Sequence, residues 1–566
     1  MKTLDKLLYR SSGWLKVLTW LLVCALIFGS LALVSYLLTL RLPEGARGDW
    51  FWDTMSYFAD LGNAADSGEG MHVWAYIVGL AGSVILSGLL VSMLLNIFDE
   101  RVRRVEEGEA RYKLKDHYII IGFNDLTLSV IAQLKGQSCP ILLQTSRDVA
   151  SVNARLFGAL DKKTLDRMVV YAAARDNEAE IASLYVERAR YIYVLGDDEP
   201  NGDALNTACV RLIGQHLSSL TSKERQEGKE EAARRVPCIA VYKHTFSIAS
   251  LEDKLAYYPV NYYDLFSKEL LVDRNILVSD EGVHFVIIGM SEMGMSLGKM
   301  ASMVAHYPNG KSLITFIAAD ADKRSQIFRN RYPHFFDVQD GRYSYLGDFV
   351  DVAIEFKQAD IHSSASRRYL VEQSRSGKLI IAVAVEDEIE AREIATYLPP
   401  ELSAQHVPVY VYQPHSELAG QGFGTHDKGF SLDEDIFTKA KQLNYAYALF
   451  YGATDTNPEK EWWKLDYALQ VSNTYAVYHL PIRRALAQHV SSRELAEVEH
   501  NRWVVEKLFS GYRPLTEEER KTYQPAQKKA LKEQHIHRDL CAYTDLEEDD
   551  SGKDVRQLDE LINQII

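Results

Sequence analysis

A chain of 566 residues, 47% of them hydrophobic, is long enough for several domains. Its formal charge of −15 at pH 7 argues against a nucleic-acid binder working through a basic surface. Cys24, Cys139, Cys209, Cys238 and Cys541 are scattered, without the close spacing of a zinc or redox motif, so reduced cytosolic thiols are expected.

The first elements in chain order are two uncharged apolar runs, residues 17–40 and 73–98. Each exceeds the roughly 20 residues that a helix needs to cross a bilayer. Residues 1–16 precede them as a weakly amphipathic stretch expected in the membrane interface. Lys2, Lys6, Arg10 and Lys16 flank the first run, whereas the 32 residues between the runs are dominated by acids such as Glu44, Asp49, Asp53, Asp60 and Asp66. Positive residues stay inside, so both termini are expected in the cytoplasm and the intervening loop outside, in a cell inner membrane. The first run is too long for a cleaved signal peptide.

That loop opens with Trp50, Phe51, Trp52, Met55, Tyr57 and Phe58 and continues as Ala59, Asp60, Leu61, Gly62 and Asn63. Aromatic rings settle at membrane interfaces in any case. The alternative is a short pore helix ending at Phe58, followed by a turn that presents carbonyls and, in a ring of subunits, Asp60 carboxylates to a cation. Gly62 would there supply backbone angles closed to other residues. In the second run, Gly79, Ser83 and Ser87 form a small-residue stripe suited to close helix packing, and Gly88 is a candidate gating hinge.

Residues 100–116 form a charged connector, and two similar α/β units follow, 117–278 and 279–435. Apolar strands are expected at 117–122, 140–143, 168–172 and 191–195, then at 284–289, 313–318, 378–383 and 407–412. Strands alternating with helical patterns point to parallel, doubly wound sheets. In the second unit Gly289, Ser291 and Gly294 stand where a dinucleotide-binding turn has its glycines, with Ser291 replacing the middle one. Asp320, past the next strand, stands near the usual place of a ribose-binding acid. The first unit lacks the later glycines and reads as structural. Asp197, Asp198, Glu386 and Asp387 at strand ends admit a calcium reading, although capping or solvation is the plainer role. The run 420–424, Gly-Gln-Gly-Phe-Gly, reads as a linker.

Residues 436–566 are helical and aromatic in pattern. Trp463, Trp503 and Tyr512 offer flat faces to a base, and Asn473, His500 and Arg502 offer directional polar contacts. The plainer alternative makes Trp503 and His500 part of an ordinary core. No nucleophile with an adjacent base stands out, so no catalytic role is expected.

ADLGNAAD, the second apolar run and the following DERVRRVEEGEARYKLKDHYIIIGFND together resemble the CASTOR/POLLUX family of ion channels. The resemblance implies a homo-tetramer with its filter, Ala59 to Asn63, on the axis, and tandem RCK-like Rossmann domains beneath it. Leu61 replaces the family's usual serine, which leaves the ion open among K+, Na+ and Ca2+. The last quarter of the chain resembles the RyR domain, on AKQLNYAY, Trp462-Trp463, HLPIRR, the run 495–507 and Gly511-Tyr512. The expected fold is therefore a multi-domain membrane protein. It has a two-span α-helical pore with a re-entrant loop at 17–99, two α/β Rossmann domains and a mainly α-helical RyR domain. The expected function is a cation channel gated by a nucleotide or dinucleotide ligand. The alternatives are a non-conducting, membrane-anchored nucleotide sensor signalling to a partner in phage defence or stress, and a tethered NAD-dependent enzyme.

Overall fold

A computed structural model describes residues 13–44, 48–68, 70–226, 235–244, 255–346, 349–415, 422–425, 434–450, 452 and 457–546. The expected interfacial segment, residues 1–12 of it, lies outside the described residues. The chain divides into two compact units, one of residues 1–113, 147–154 and 169–172 and one of the remainder.

The first unit contains two long helices, Gly13–Thr39 and His72–Glu106, of 27 and 35 residues. At 1.5 Å per residue these are about 40 and 52 Å long. Between them lie the helix Trp50–Ala59 and the 3-10 turn Leu61–Asp66. Among the described residues no helix is both long and apolar enough to cross a membrane. Stretches 13–21 and 86–94 of the two apolar runs fall outside the residues whose side chains are described.

Beyond the long helices the chain forms two six-stranded parallel sheets, ordered β3-β2-β1-β4-β5-β6 and β12-β11-β10-β7-β8-β9. In the first sheet β1 is His117–Ile121, β2 Ile141–Thr145, β3 Met168–Ala172 and β4 Ala189–Val194, all foreseen from apolar runs. Strands β5, Val236–Tyr242, and β6, Leu255–Asn261, were not foreseen, because Pro237 and Pro259 interrupt them. Both prolines are tolerated: pairing of β4 with β5 begins only at Cys238, and β6 is an edge.

The second sheet repeats the pattern with β7, His284–Ile288, β8, Ser312–Ala318, β10, Leu379–Val383, and β11, Val409–Tyr412. Its edges are β9, Val352–Gln358, and β12, Gly422–Phe423. The latter corrects the linker reading of 420–424: Gly422 and Phe423 pair in parallel with Val411 and Tyr412. In each sheet the order reverses beside the first strand, between β1 and β4 or between β7 and β10, leaving a crevice at the carboxyl ends.

The C-terminal helices include Glu434–Phe450, Tyr467–Tyr478, Leu480–Leu486 and Ser492–Phe509. The last is fixed by a capping box in which Ser491 and Glu494 satisfy each other's backbone N–H. Its C-terminal Phe509 packs against Phe335 and Tyr332 of the second sheet's helices, with ring centroids 4.6 and 4.9 Å apart.

Candidate functional site

The segment between the two long helices is built from local chemistry. The helix Trp50–Ala59 packs on the first long helix through Phe28, whose ring centroid lies 5.2 Å from Phe58, and Tyr36, 5.3 Å from Trp50. The helix breaks at Asp60, which is extended at φ −144°, ψ 116°. The Asp60 carboxylate accepts the Gly62 N–H at 2.8 Å, and Asn63 Nδ2 donates back to Ser56 Oγ at 2.9 Å. The second long helix receives this turn in a groove. A Cβ on Gly82 would sit 1.9 Å from the Phe58 carbonyl oxygen, and one on Gly79 2.7 Å from Leu61 Cδ1. Gly79 thus serves the close packing expected of it. Its partner is Gly82 rather than Ser83, which is exposed.

Gly62 has no positive φ, which corrects the expectation of unusual backbone angles. The Asp60 carboxylate holds it in a 3-10 turn, where a Cβ would crowd Asp60 Oδ1 at 3.2 Å. Ala59, Asp60, Gly62 and Asn63 are exposed and Leu61 half-buried in the single chain. Gly88 lies inside the helix His72–Glu106, at a position whose side-chain surroundings are outside the described residues.

The two Rossmann turns differ. In the first, Gly122 has φ +94°, and a Cβ there would lie 2.3 Å from the Gly196 backbone. The buried Asp197 carboxylate fills the place beside this turn. It accepts the Phe123 N–H at 2.7 Å, the Thr145 hydroxyl at 2.7 Å and the Ser146 N–H at 3.1 Å. Its counter-ion is Arg175 at 3.3 Å, and both side chains are 2% exposed. The chain's own anion therefore uses a backbone donor that a phosphate would want. Beside it, at the ends of β4 and β5, is a cavity of about 280 Å³ lined by Gly196, Asp198, Asp203, Asn206, Lys243 and Tyr262 among others. The sequence did not mark it as a cavity, since its walls come from four separate strand ends, those of β1, β4, β5 and β6.

In the second unit Gly289 has φ +102°, and an added Cβ would meet the Ala384 carbonyl oxygen at 2.8 Å. A Cβ on Gly294 would lie 2.5 Å from the Gly289 carbonyl oxygen, so this glycine is needed for close approach. Ser291 caps the helix Glu292–Val304: its hydroxyl accepts the Gly294 N–H at 3.1 Å and donates to the Ala384 carbonyl at 2.6 Å. Glu292 in the first turn forms a two-pronged ion pair with Arg331, at 2.8 and 2.9 Å. Asp320 is exposed and meets Arg324 at 3.3 Å. The turn keeps the shape of a phosphate site, with one of its donors spent on Ser291.

The acids weighed for calcium have other partners or none in common. Asp198 faces Lys243 at 3.9 Å, Asp387 caps the helix Glu388–Thr396, and Glu386 is exposed. Among the described residues no group of three or more His, Cys, Asp or Glu is arranged to hold a metal.

The six C-terminal candidates do not converge. The helix Ser492–Phe509 presents His500 and Trp503 on one face, their rings 5.8 Å apart. His500 Nε2 meets the Cys541 carbonyl at 2.8 Å, and burial lowers its pKa. Trp503 lies 5.0 Å from the His537 ring, and Tyr512 stacks on His535 at 4.7 Å with Lys507 Nζ 5.3 Å from the tyrosine centroid. His535 and His537 were not foreseen; they reach this face because β13, Arg513–Pro514, pairs with β14, Ile536–His537.

Arg502 points elsewhere, 1% exposed, into a buried seam. Its Nε meets Glu499 Oε1 at 3.0 Å, and Arg483 and His479 each meet Glu499 Oε2 at 3.4 Å. The seam reaches the second sheet's unit through His479 Nε2 and the His306 carbonyl, 3.4 Å apart. His306 in turn contacts Asp351 at 2.8 Å. Asn473 is turned to its own helix, donating to the Leu469 carbonyl at 3.0 Å. Trp463 packs elsewhere, 5.7 Å from Tyr258 and under the Arg235 guanidinium at 4.7 Å.

No family model matches the chain. It is similar to a probable ion channel, SYM8, of Pisum sativum, with 24% identity over 36% of this chain and 23% of the relative. It is likewise similar to ion channel DMI1 of Medicago truncatula, at 23% identity over 34% of this chain and 22% of the relative. The ion channel POLLUX of Lotus japonicus is 21% identical over 37% of this chain and 23% of its own length. The matched stretch thus spans about a quarter of these relatives. Among solved structures, GsuK bound to ADP aligns over 71% of this chain and 95% of its own, at 16% identity and a TM-score of 0.36. The GsuK channel bound to NAD aligns over 78% and 86%, at 12% identity and a TM-score of 0.32. The chain's similarity is to ion channels.

Proposed function

We propose that this chain is the subunit of a ligand-gated cation channel. The observation that carries the reading is the re-entrant turn, seated by Gly79 and Gly82 against a 35-residue helix and offering exposed Asp60 and Asn63. Irregular backbone at membrane depth survives only where it lines water or is buried in protein. A ring of copies, a homo-tetramer by the family resemblance, would place these residues around a water-filled axis. Asp60 then contributes a ring of negative charge that favours cations over anions. The similarity to named ion channels supports the reading.

Gating falls to the cytoplasmic units. A nucleotide-like ligand has two candidate seats, the Gly289–Gly294 turn and the His500/Trp503/Tyr512 face. It shifts the pore only by its difference in affinity between closed and open arrangements. Single-channel recording of the purified protein in planar bilayers, under potassium, sodium and calcium gradients in turn, tests the reading. Discrete currents altered by Asp60→Asn support it. Silence of a verified assembly, and of a truncation ending at Glu107, moves the reading to a membrane-anchored sensor.

A further inference from the structure

The connector does not hang free between helix and sheet. The helix His72–Glu106 ends at Gly108, whose φ is +70°, with the Glu109 and Ala110 N–H groups both donating to the Arg104 carbonyl. The next residues fasten at once onto β3. The Ala172 N–H donates to the Gly108 carbonyl at 2.9 Å, and Arg111 Nη2 donates to the Ala172 carbonyl at 2.9 Å. Arg111 Nη1 also donates to the Gly108 carbonyl at 2.7 Å. The Tyr112 N–H donates to the Tyr171 hydroxyl at 2.6 Å, and the Arg111 guanidinium lies 4.6 Å from the centre of that ring. A Cβ on Gly108 would fall 2.6 Å from the Ala172 nitrogen and 3.1 Å from Val149 Cγ2.

β3 is an edge strand, so its outer peptide groups are open to such pairing. The same contacts shape the division of the chain into compact units. Residues 169–172 and 147–154 fall with the long helices rather than with the rest of the sheet.

We propose that residues 108–112 are a clamp that makes the end of the long helix move with β3, so that the stretch 107–116 does not act as slack. The consequence for gating rests on the channel reading; the clamp itself does not. A free ten-residue linker has a root-mean-square span of roughly 17 Å and would absorb small domain movements. With the clamp closed, slack remains only beyond Tyr112.

The test is where added slack matters. Three glycines are inserted in the full chain either between Glu107 and Gly108 or between Lys113 and Leu114. Hydrogen exchange of residues 98–107 is followed in lipid nanodiscs, with the peptide spanning 117–121 as the folding control. The clamp predicts that only the first insertion speeds exchange at the helix end, by roughly tenfold, as does the pair Arg111→Ala and Tyr171→Phe. Equal effects of both insertions, or no effect of the clamp variants, overturn it. In recordings the first insertion should disconnect open probability from the cytoplasmic units and the second should not. Absence of current in every form would count against the channel reading, while the exchange pattern still decides the clamp.

Discussion

The two Rossmann units start from the same strand and glycine, His117–Ile121 before Gly122 and His284–Ile288 before Gly289, yet solve the problem of their turns oppositely. The first buries an anion of its own, Asp197, against Arg175 beside its turn. The second holds no carboxylate in its turn, whose Gly294 N–H is taken by the Ser291 hydroxyl, and it meets its C-terminal neighbour through the His306–His479–Glu499 seam. A turn that carries its own carboxylate has a backbone donor already spent on an anion, whereas the second turn has none so occupied. The difference is consistent with the proposed ligand seat lying at the second turn rather than the first.

The comparison breaks most directly at Asp197. Replacing it with alanine leaves Arg175 with Glu199 as its remaining acid and the Phe123 N–H unmet, and the expected loss is about 3 kcal/mol of unfolding free energy. Ser291→Ala, which removes only a helix cap, should cost about 1 kcal/mol. Denaturant titration of both variants reads the gap; equal costs would erase the contrast between the units.

Acid should loosen the seam of the second unit. Burial holds the His479 pKa down at about 4, so the folded state keeps this ring neutral where an unfolded chain, near 6.5, binds a proton. Its contribution is present in full above pH 6.5 and is lost as the pH falls towards 4, by up to ~3 kcal/mol. The denaturation midpoint followed across that window should fall, and His479→Gln should make the fall shallower, the remainder coming from His537, His500, His117 and His284, which burial also holds down. An unchanged profile would mean that the seam does not carry this load.

Smaller effects sharpen the placing of the ligand seat. Ser291→Gly frees the Gly294 N–H, and a dinucleotide such as NAD should then bind tighter by about 1.5–3 kcal/mol, one charge-assisted hydrogen bond. Calorimetry that finds no gain would direct attention to the Trp503 face. There, Trp503→Phe, which keeps a ring against His500 and His537, should weaken ligand binding with smaller loss of stability than an alanine would cause. Arg502→Ala should instead destabilise the protein, because it strips a partner from buried Glu499.

The sequence made part of this visible. Apolar runs located eight strands, and the Asp60 turn stood out because a helix-forming aromatic run gives way to Asp, Gly and Asn. Strands β5 and β6 were hidden by Pro237 and Pro259, whose cost disappears once the pairing is known. Arg502 and Trp503 are adjacent in the chain, so the helix turns them about 100° apart, and they meet different partners, Glu499 and the His500 and His537 rings. Asp197 could not be distinguished from a solvated acid, because its partners Phe123, Thr145 and Arg175 come from three other segments.

The central claim is conduction past Asp60. Single-channel recording of the wild type beside Asp60→Asn tests it, with assembly of both verified in advance. The account predicts discrete cation currents whose conductance or ion preference changes in the variant. Currents identical in the two proteins would remove Asp60 from the permeation path and contradict it.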